Sequence, residues 1–336
     1  MNLKLNFRLY TRLYQQILEN RLGIWTSRTG LIVQLEDLDT GRLGYGEIAP
    51  FPGCGAETYD QAFAFVNRLC YPIGKPHPAI LTEETIALIP PHLTATQFGL
   101  GCALAQVRSL GNAEELTNPL PELEPSQQSA LLQRGKFALE QWQPLWEEGY
   151  RTFKWKIGLG EEAAELNRLE ALLSALPSEA KLRLDANQNL TLDQAKRWIA
   201  HCDPLRVEFL EQPLPSDQKD NLQALAAESP IPIALDESVS TLTELEQWSA
   251  DWPGVFVIKV PLLGFPETAR QFFREHSLDL VFSSVLETSI ARRVALGFAQ
   301  EFQNPKRSMG FGVQGWFDQA DGFENPDPAI IWQQIA

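Results

Sequence analysis

The sequence predicts an α/β protein built around a β/α barrel, preceded by a smaller region of mixed α and β character. Three observations lead there. Short apolar strands alternate with amphipathic helices beyond residue 128, and the strand-helix unit recurs roughly every 25 residues. The strand runs are too apolar for a sheet with one wet face, so both faces must be covered, as in parallel sheets under helices. The first third has a different texture, and a proline-rich stretch, Asn118-Pro119-Leu120-Pro121-Glu122-Leu123-Glu124-Pro125, separates the two.

In chain order, Gly30-Leu31-Ile32-Val33-Gln34-Leu35 alternates apolar and polar residues, turns at Asp39-Thr40-Gly41 and resumes at Leu43-Gly44-Tyr45-Gly46-Glu47, the pattern of an antiparallel hairpin. Helices are expected near residues 57 to 70 and 94 to 110. The proline stretch stops helix and central strand alike and reads as a linker. The barrel strands then fall at Ser129 to Gln133, Thr152 to Ile157, Leu182 to Asp185, Val207 to Leu210, Ile233 to Asp236, Val255 to Val260 and Leu280 to Ser283. A typical covering helix runs from Leu192 to His201, capped by Thr191 with Asp193 in its first turn. The run Gly310-Phe311-Gly312-Val313-Gln314-Gly315 matches a dinucleotide-binding turn, but too little chain follows Gly315 for the helix and acid-bearing strand that such a site needs. Glycines of a final barrel strand or loop account for it better.

A net charge of −15 over 336 residues opposes phosphate backbones and anionic lipid, and no basic patch offsets it, so no nucleic-acid and no membrane partner is expected. No apolar run is long enough to span a bilayer, the N-terminus MNLKLNFRLYTRLYQQ lacks a secretory pattern, and a cytoplasmic location is expected. Cys54, Cys70, Cys102 and Cys202 have no paired spacing and read as reduced packing residues, while His77, His92, His201 and His276 form no metal-binding pattern.

Barrel enzymes place their chemistry at the carboxyl ends of the strands. Three consecutive strands here end in Asp185, Glu211 and Asp236. One such acid alone reads most simply as a cap or a solvated charge. Three, on strands about 4.8 Å apart, repel one another unless a cation neutralises them. An oxygen-only donor set points to Mg²⁺, with Mn²⁺ as the alternative. Glu237 is the ambiguous neighbour, because pleating sends adjacent side chains to opposite faces and a small boundary shift would exchange it with Asp236. Opposite these acids, Lys154 and Lys156 share one face of their strand, leaving Phe153, Trp155 and Ile157 to pack under the helices, and Lys259 ends the sixth strand across the barrel. A metal beside a substrate carboxylate stabilises the charge left when the adjacent carbon loses a proton, and a lysine crowded by a second ammonium can be the base that takes it.

The K-x-K, D-x-N, E-Q-P and D-E-S strand ends, with the sixth-strand lysine, resemble the enolase superfamily in its muconate-lactonizing subgroup. The resemblance spans nearly the whole chain. It implies a modified TIM barrel, (β/α)7β, with an α+β N-terminal capping domain over 1–117, a linker over 118–128, the barrel over 129–315 and a C-terminal segment, 316–336, returning to the cap. Gly46-Glu47-Ile48-Ala49-Pro50-Phe51-Pro52-Gly53, Ser283-Ser284-Val285-Leu286-Glu287-Thr288-Ser289 and Val257-Ile258-Lys259-Val260-Pro261-Leu262-Leu263-Gly264 are similar to segments of the dehydratases in that subgroup that make 2-succinylbenzoate for menaquinone and phylloquinone. Carried over, the resemblance implies Asp185, Glu211 and Asp236 as Mg²⁺ ligands, Lys156 as the proton carrier, Lys154 as the neighbour that tunes it and Lys259 against the opposite face of a small carboxylate substrate. Asn187 would be a second-sphere group or a substrate contact, and Ser283 and Ser284, or backbone amides nearby, would hold the succinyl carboxylate. The same opposed lysines would serve an N-succinylamino acid racemase or a dipeptide epimerase, although the D-x-D of dipeptide epimerases is missing between Gly310 and Phe317. No motif specifies an oligomeric state.

Overall fold

The computed structural model describes residues 1–20, 23–72, 80–108, 118–133, 135–313 and 315–335. The expected helix end at 110, the boundary at 117, His77 and Gln314 lie outside them.

The N-terminal sheet has four antiparallel-paired strands in the order β3-β2-β1-β4: β1 Leu3–Asn20, β2 Gly23–Asp37, β3 Leu43–Ile48 and β4 Ile80–Leu81. The predicted hairpin is β2–β3. The long β1 went unpredicted although Leu3, Leu5 and Phe7 alternate with polar residues, the period of a strand with one covered face. Its register against β2 breaks between Leu13 and Leu18, a local bulge. Helices α1 Tyr59–Cys70, α2 Glu83–Ala87 and α3 Thr94–Arg108 follow. Together with the sheet they bury a core of Leu31, Val33, Leu35, Ala62, Val66 and Leu100.

The second sheet is parallel throughout: β5 Gln128–Leu132, β6 Thr152–Lys156, β7 Lys181–Asp185, β8 Val207–Glu211, β9 Ile233–Leu235, β10 Val255–Ile258, β11 Leu280–Phe282 and β12 Met309–Gly312. The order is β11-β10-β9-β8-β7-β6-β5-β12, and a parallel bridge between Ser283 and Gly310 joins its two ends into a barrel. Seven strands match the predicted segments to within two residues. Close approach explains the glycines of β12: a Cβ at Gly310 would stand 2.6 Å from the Ser283 Oγ and one at Gly312 would stand 2.3 Å from the Ser129 carbonyl oxygen. That pairing, not a dinucleotide, accounts for the glycine-rich run.

Alternation divides each strand's labour. On β6, Phe153 and Trp155, with Ile157 just beyond, are fully buried beneath the helices, Trp155 meeting Trp198 of helix Leu192–Ala200 edge-on. Burying each such side chain contributes about 2 to 3 kcal/mol. The barrel interior below the mouth is closed by Phe209, Ala234, Val255, Val257 and Val281 on one side. Over the Phe209 ring lies Arg183, buried two residues before Asp185, which donates to Glu208 at 2.7 Å and to the Ser308 carbonyl at 2.6 Å.

Residues 316–335 lie against the cap: Arg12 pairs with Asp321 at 2.7 Å and Glu324 at 2.9 Å, and the Gln15 amide donates to the Trp316 carbonyl at 2.9 Å. Glu47, buried on β3, accepts from the Thr288 amide at 2.9 Å, at the start of helix Ser289–Phe302. A carboxylate at a helix N-terminus meets unsatisfied amides and the positive end of the dipole. Cap and barrel are thereby pinned across the barrel mouth.

Candidate active site

The carboxyl ends of the barrel strands, with the cap above them, enclose a cavity of about 120 Å³. Lys154, Lys156, Asp185, Asn187, Asp236, Glu237, Lys259, Ser283 and Ser284 line it.

Register places the acids side by side. Lys156 pairs with Asp185, Asp185 with Glu211 and Glu211 with Ala234, two residues before Asp236. Asp185, Glu211 and Asp236 are all buried. The lysines meet them directly: the Lys154 Nζ lies 2.6 Å from Glu211 Oε1 and 2.9 Å from Asp185 Oδ2, and Lys259 is paired with Asp236. Lys156 donates to Asn187 Oδ1 at 2.5 Å and stands 3.6 Å from Asp185 Oδ2. Lys156 and Lys259 are four strands apart in an eight-stranded circle, so they face each other across the cavity.

The electrostatics separate these groups. Burial disfavours the Lys154 ammonium, but Asp185 and then Glu211 outweigh burial and hold its pKa above the ordinary lysine value. Lys259 is held protonated in the same way, by Asp236 against burial. Both are therefore standing cations. Burial would raise Asp185, yet Lys154 and Lys156 pull it below the usual carboxylate range. Glu211 goes the other way: burial and the adjacent Asp185 charge raise it more than Lys154 lowers it. Asp185 keeps its charge because it has two lysines and the Asn187 amide, while Glu211 has one lysine.

Glu237 corrects one expectation. The fifth strand stops at Leu235, and Asp236, with φ −123° and ψ −79°, leaves the extended region to start a 3₁₀ turn over Glu237–Val239. The pleat no longer applies, and Asp236 and Glu237 both face the cavity. Burial and the Asp236 charge raise the Glu237 carboxyl. Its Oε1 accepts from Asn187 Nδ2 at 3.0 Å, whereas its buried Oε2 has no partner among the described residues.

The acids fit a hard divalent cation. The donors are oxygens at the ends of three consecutive strands, and burial first, then a neighbouring carboxylate charge, raises Glu211 and Glu237, a cost that a cation among them would offset. Among the described residues these acids are not drawn into a closed ligand set. The ammonium groups of Lys154 and Lys259 take up the carboxylate oxygens instead.

Gln212, missed in the sequence, shapes the third acid. It is fully buried at φ +36°, its Oε1 accepts from the Asp236 and Ser238 amides at 3.0 and 3.1 Å, and its Nε2 donates to Ser238 Oγ at 2.8 Å. Three of its hydrogen bonds go into the turn that presents Asp236, and Nε2 also donates to the Leu214 carbonyl at 3.0 Å. The two predicted serines are partly spoken for: Ser284 Oγ donates to Glu287 Oε2 at 2.8 Å and Ser283 Oγ to the Gly310 carbonyl at 3.3 Å.

Of the opposite wall only the segments that hold Phe51, Leu286 and the two serines were anticipated. Leu18, Phe51, Leu131, Leu286, Val313 and Trp316 close it, joined by Gly310 and Gly312. Cys54, read as a packing residue, also lines the cavity, 3.5 Å from the Lys259 Nζ, and burial pushes its thiol up to about 12, so it stays protonated. The four cysteines are free and buried, and no described histidine lines the cavity. No described helix is long and apolar enough to cross a membrane.

Known proteins supply an independent comparison. The family model described as enolase C-terminal domain-like matches residues 138–306. An o-succinylbenzoate synthase of Thermosynechococcus vestitus is 42% identical over 92% of this chain and 92% of its own, and one of Edwardsiella ictaluri is 33% identical over 79% of this chain and 76% of its own. The crystal structure of o-succinylbenzoate synthase from Thermosynechococcus elongatus BP-1, complexed with Mg in the active site, superposes with a TM-score of 0.79 at 41% identity, covering 94% of each chain. The L-Ala-D/L-Glu epimerase of Bacillus subtilis, at 19% identity and a TM-score of 0.76 over 94% of this chain and 91% of its own, shares the fold.

Proposed function

Because the chain belongs to the enolase superfamily and, within it, to the o-succinylbenzoate synthase family, we propose that it dehydrates 2-succinyl-6-hydroxy-2,4-cyclohexadiene-1-carboxylate to 2-succinylbenzoate. The observation that carries this reading is the placement of Lys156 and Lys259 on opposite sides of one cavity, with Asp185, Glu211 and Asp236 on the strands between them.

Asp185, Glu211 and Asp236 would hold Mg²⁺. When bound, the ion supplies positive charge beside the substrate's ring carboxylate, which lowers the cost of the charge left by α-proton loss. Lys156, as the free amine, takes that proton from the α-carbon. The electron pair then moves into the ring as the C–O bond to the 6-hydroxyl breaks, and Lys156 returns its proton to the departing hydroxide on the same face, releasing water. The ring becomes aromatic, which drives the step forward. Lys154, kept charged by Asp185 and Glu211, is the cation two residues before Lys156 on the same strand face. Lys259, kept charged by Asp236, faces the far side of the ring and stabilises the developing negative charge.

On the neutral wall, Ser283 and the peptide edges bared by Gly310 and Gly312 offer polar contacts for the succinyl arm, and Leu18, Phe51 and Trp316 exclude water. The substrate is a small carboxylate, and the work is expected in the cytoplasm for menaquinone or phylloquinone synthesis. The test is incubation with substrate and Mg²⁺ followed by mass spectrometry. A product lighter by one water supports the reading, and unchanged substrate overturns it.

N-succinylamino acid racemisation is the second reading, because it uses the same opposed lysines. Solvent-deuterium incorporation into N-succinylamino acids at a rate exceeding dehydration would favour it.

A further inference from the structure

We propose that Glu237 is a positioning residue for Lys156, acting through the side-chain amide of Asn187. This rests on the assignment of Lys156 as the proton carrier.

The chain of contacts is short and directional. Lys156 Nζ donates to Asn187 Oδ1 at 2.5 Å, and Asn187 Nδ2 donates to Glu237 Oε1 at 3.0 Å. An amide has one accepting and one donating end, and it is the donating end that meets Glu237 Oε1. Glu237 therefore selects the amide orientation that turns Nδ2 toward itself and the carbonyl oxygen toward Lys156. The flipped amide would present N–H groups to an amine and would leave two acceptors facing each other at Glu237.

The backbone supports the same arrangement. Asn187 lies at φ +41°, a left-handed conformation that Asn tolerates better than most residues, and its amide nitrogen donates to Asp185 Oδ1 at 3.1 Å. Lys156 is thus restrained from two directions, by Asn187 and by Asp185 at 3.6 Å. Committing one N–H to Asn187 restricts rotation of the Lys156 amine, which lines the cavity. Holding a base in its reacting geometry is worth more than its presence, because small misplacements cost orders of magnitude in rate. The other lysines are fixed by direct carboxylate contacts. Lys156 alone of the three is held by a neutral amide, so that amide needs a fixed orientation.

The experiment compares Glu237→Leu, Glu237→Gln and the parent, reading kcat, KM, the Mg²⁺ Kd by calorimetry and the primary isotope effect with α-deuterated substrate. A glutamine can still accept from Asn187 Nδ2, and leucine cannot. The expected result is a kcat reduced about 10- to 100-fold for Glu237→Leu, the range for lost outer-layer partners. KM and Mg²⁺ affinity should stay within about threefold on that scale, the isotope effect should rise, and Glu237→Gln should recover most of the rate. Should Glu237→Leu fail to fold, Asn187→Asp gives the reciprocal test: it sets two carboxylates against each other, and adding Glu237→Gln should restore part of the lost kcat. A parent rate in Glu237→Leu, equal losses in the leucine and glutamine variants, Mg²⁺ affinity lost in step with activity, or no rescue in the double variant would each overturn the proposal. A parent protein that does not dehydrate the substrate at all would instead defeat the proposed function, and the two failures are thereby distinguishable.

Discussion

The two walls of the cavity are built on different physics. The wall from β6 to β10 carries three lysines and the acids Asp185, Asp236 and Glu237, with Glu211 buried beside Asp185, each held by another charged or amide group at hydrogen-bonding distance. The wall formed by β5, β11, β12 and the cap offers glycine, serine and apolar side chains. The difference teaches that one side is shaped for charge developing in the reaction and the other for the shape of the molecule that reacts. Variants of the first should lose kcat, and variants of the second should change KM.

The largest effect is expected at Lys156. Lys156→Ala should lower kcat by about 10³-fold or more, as loss of a positioned base does, while circular dichroism and Mg²⁺ binding stay close to the parent. A near-parent rate would remove Lys156 from its role. Next comes the metal-holding set: Asp236→Asn should weaken Mg²⁺ binding in a calorimetric titration and reduce turnover in proportion, with saturating Mg²⁺ recovering part of the rate. Unchanged affinity would show that Asp236 serves Lys259 only.

On the neutral wall the effects should be smaller and of another kind. Gly310→Ala places a Cβ 2.6 Å from Ser283 Oγ and 2.8 Å from its Cβ. An overpacked contact of this kind costs about 1 to 3 kcal/mol, so the melting temperature should fall and KM rise. Trp316→Ala should raise KM several-fold with kcat nearly kept. A kcat loss matching that of Lys156→Ala would break the division between the walls.

The smallest effect concerns a buried acid that has no lysine. Glu57 in the cap accepts from the Thr96 amide and hydroxyl at 3.1 and 2.9 Å, but its Oε2 has no partner among the described residues, and burial pushes its carboxyl up to about 7. A carboxyl raised in the folded state keeps a proton that the unfolded chain releases. Its contribution is therefore lost as pH rises from the ordinary value of 4.5 through about 7. Glu57→Gln should raise the melting temperature more at pH 8 than at pH 5, and equal shifts at both would contradict the raised carboxyl.

The same contrast explains what the sequence could reveal. Inward charges in an otherwise apolar strand have no comfortable place in a packed barrel, so Lys154, Lys156 and the acids of three strand ends announce themselves by type and spacing. Leu18 and Trp316 meet across nearly the full chain length, and as apolar residues they resemble any others in the core. Glu237 was obscured by a 3₁₀ turn that cancels the pleat, and Gln212 by a hydrogen-bonding role that only the bend after Glu211 creates. The long β1 alternates as a strand should, but its bulge after Leu13, which brings Leu18 over the mouth, is a tertiary feature.

The central claim is that the charged wall performs a metal-assisted dehydration. The most direct measurement is loss of the diene absorbance of 2-succinyl-6-hydroxy-2,4-cyclohexadiene-1-carboxylate, followed with Mg²⁺, after chelation and after Mg²⁺ is restored. The account predicts turnover that stops on chelation and resumes with the ion, and turnover that persists in the chelator would contradict it.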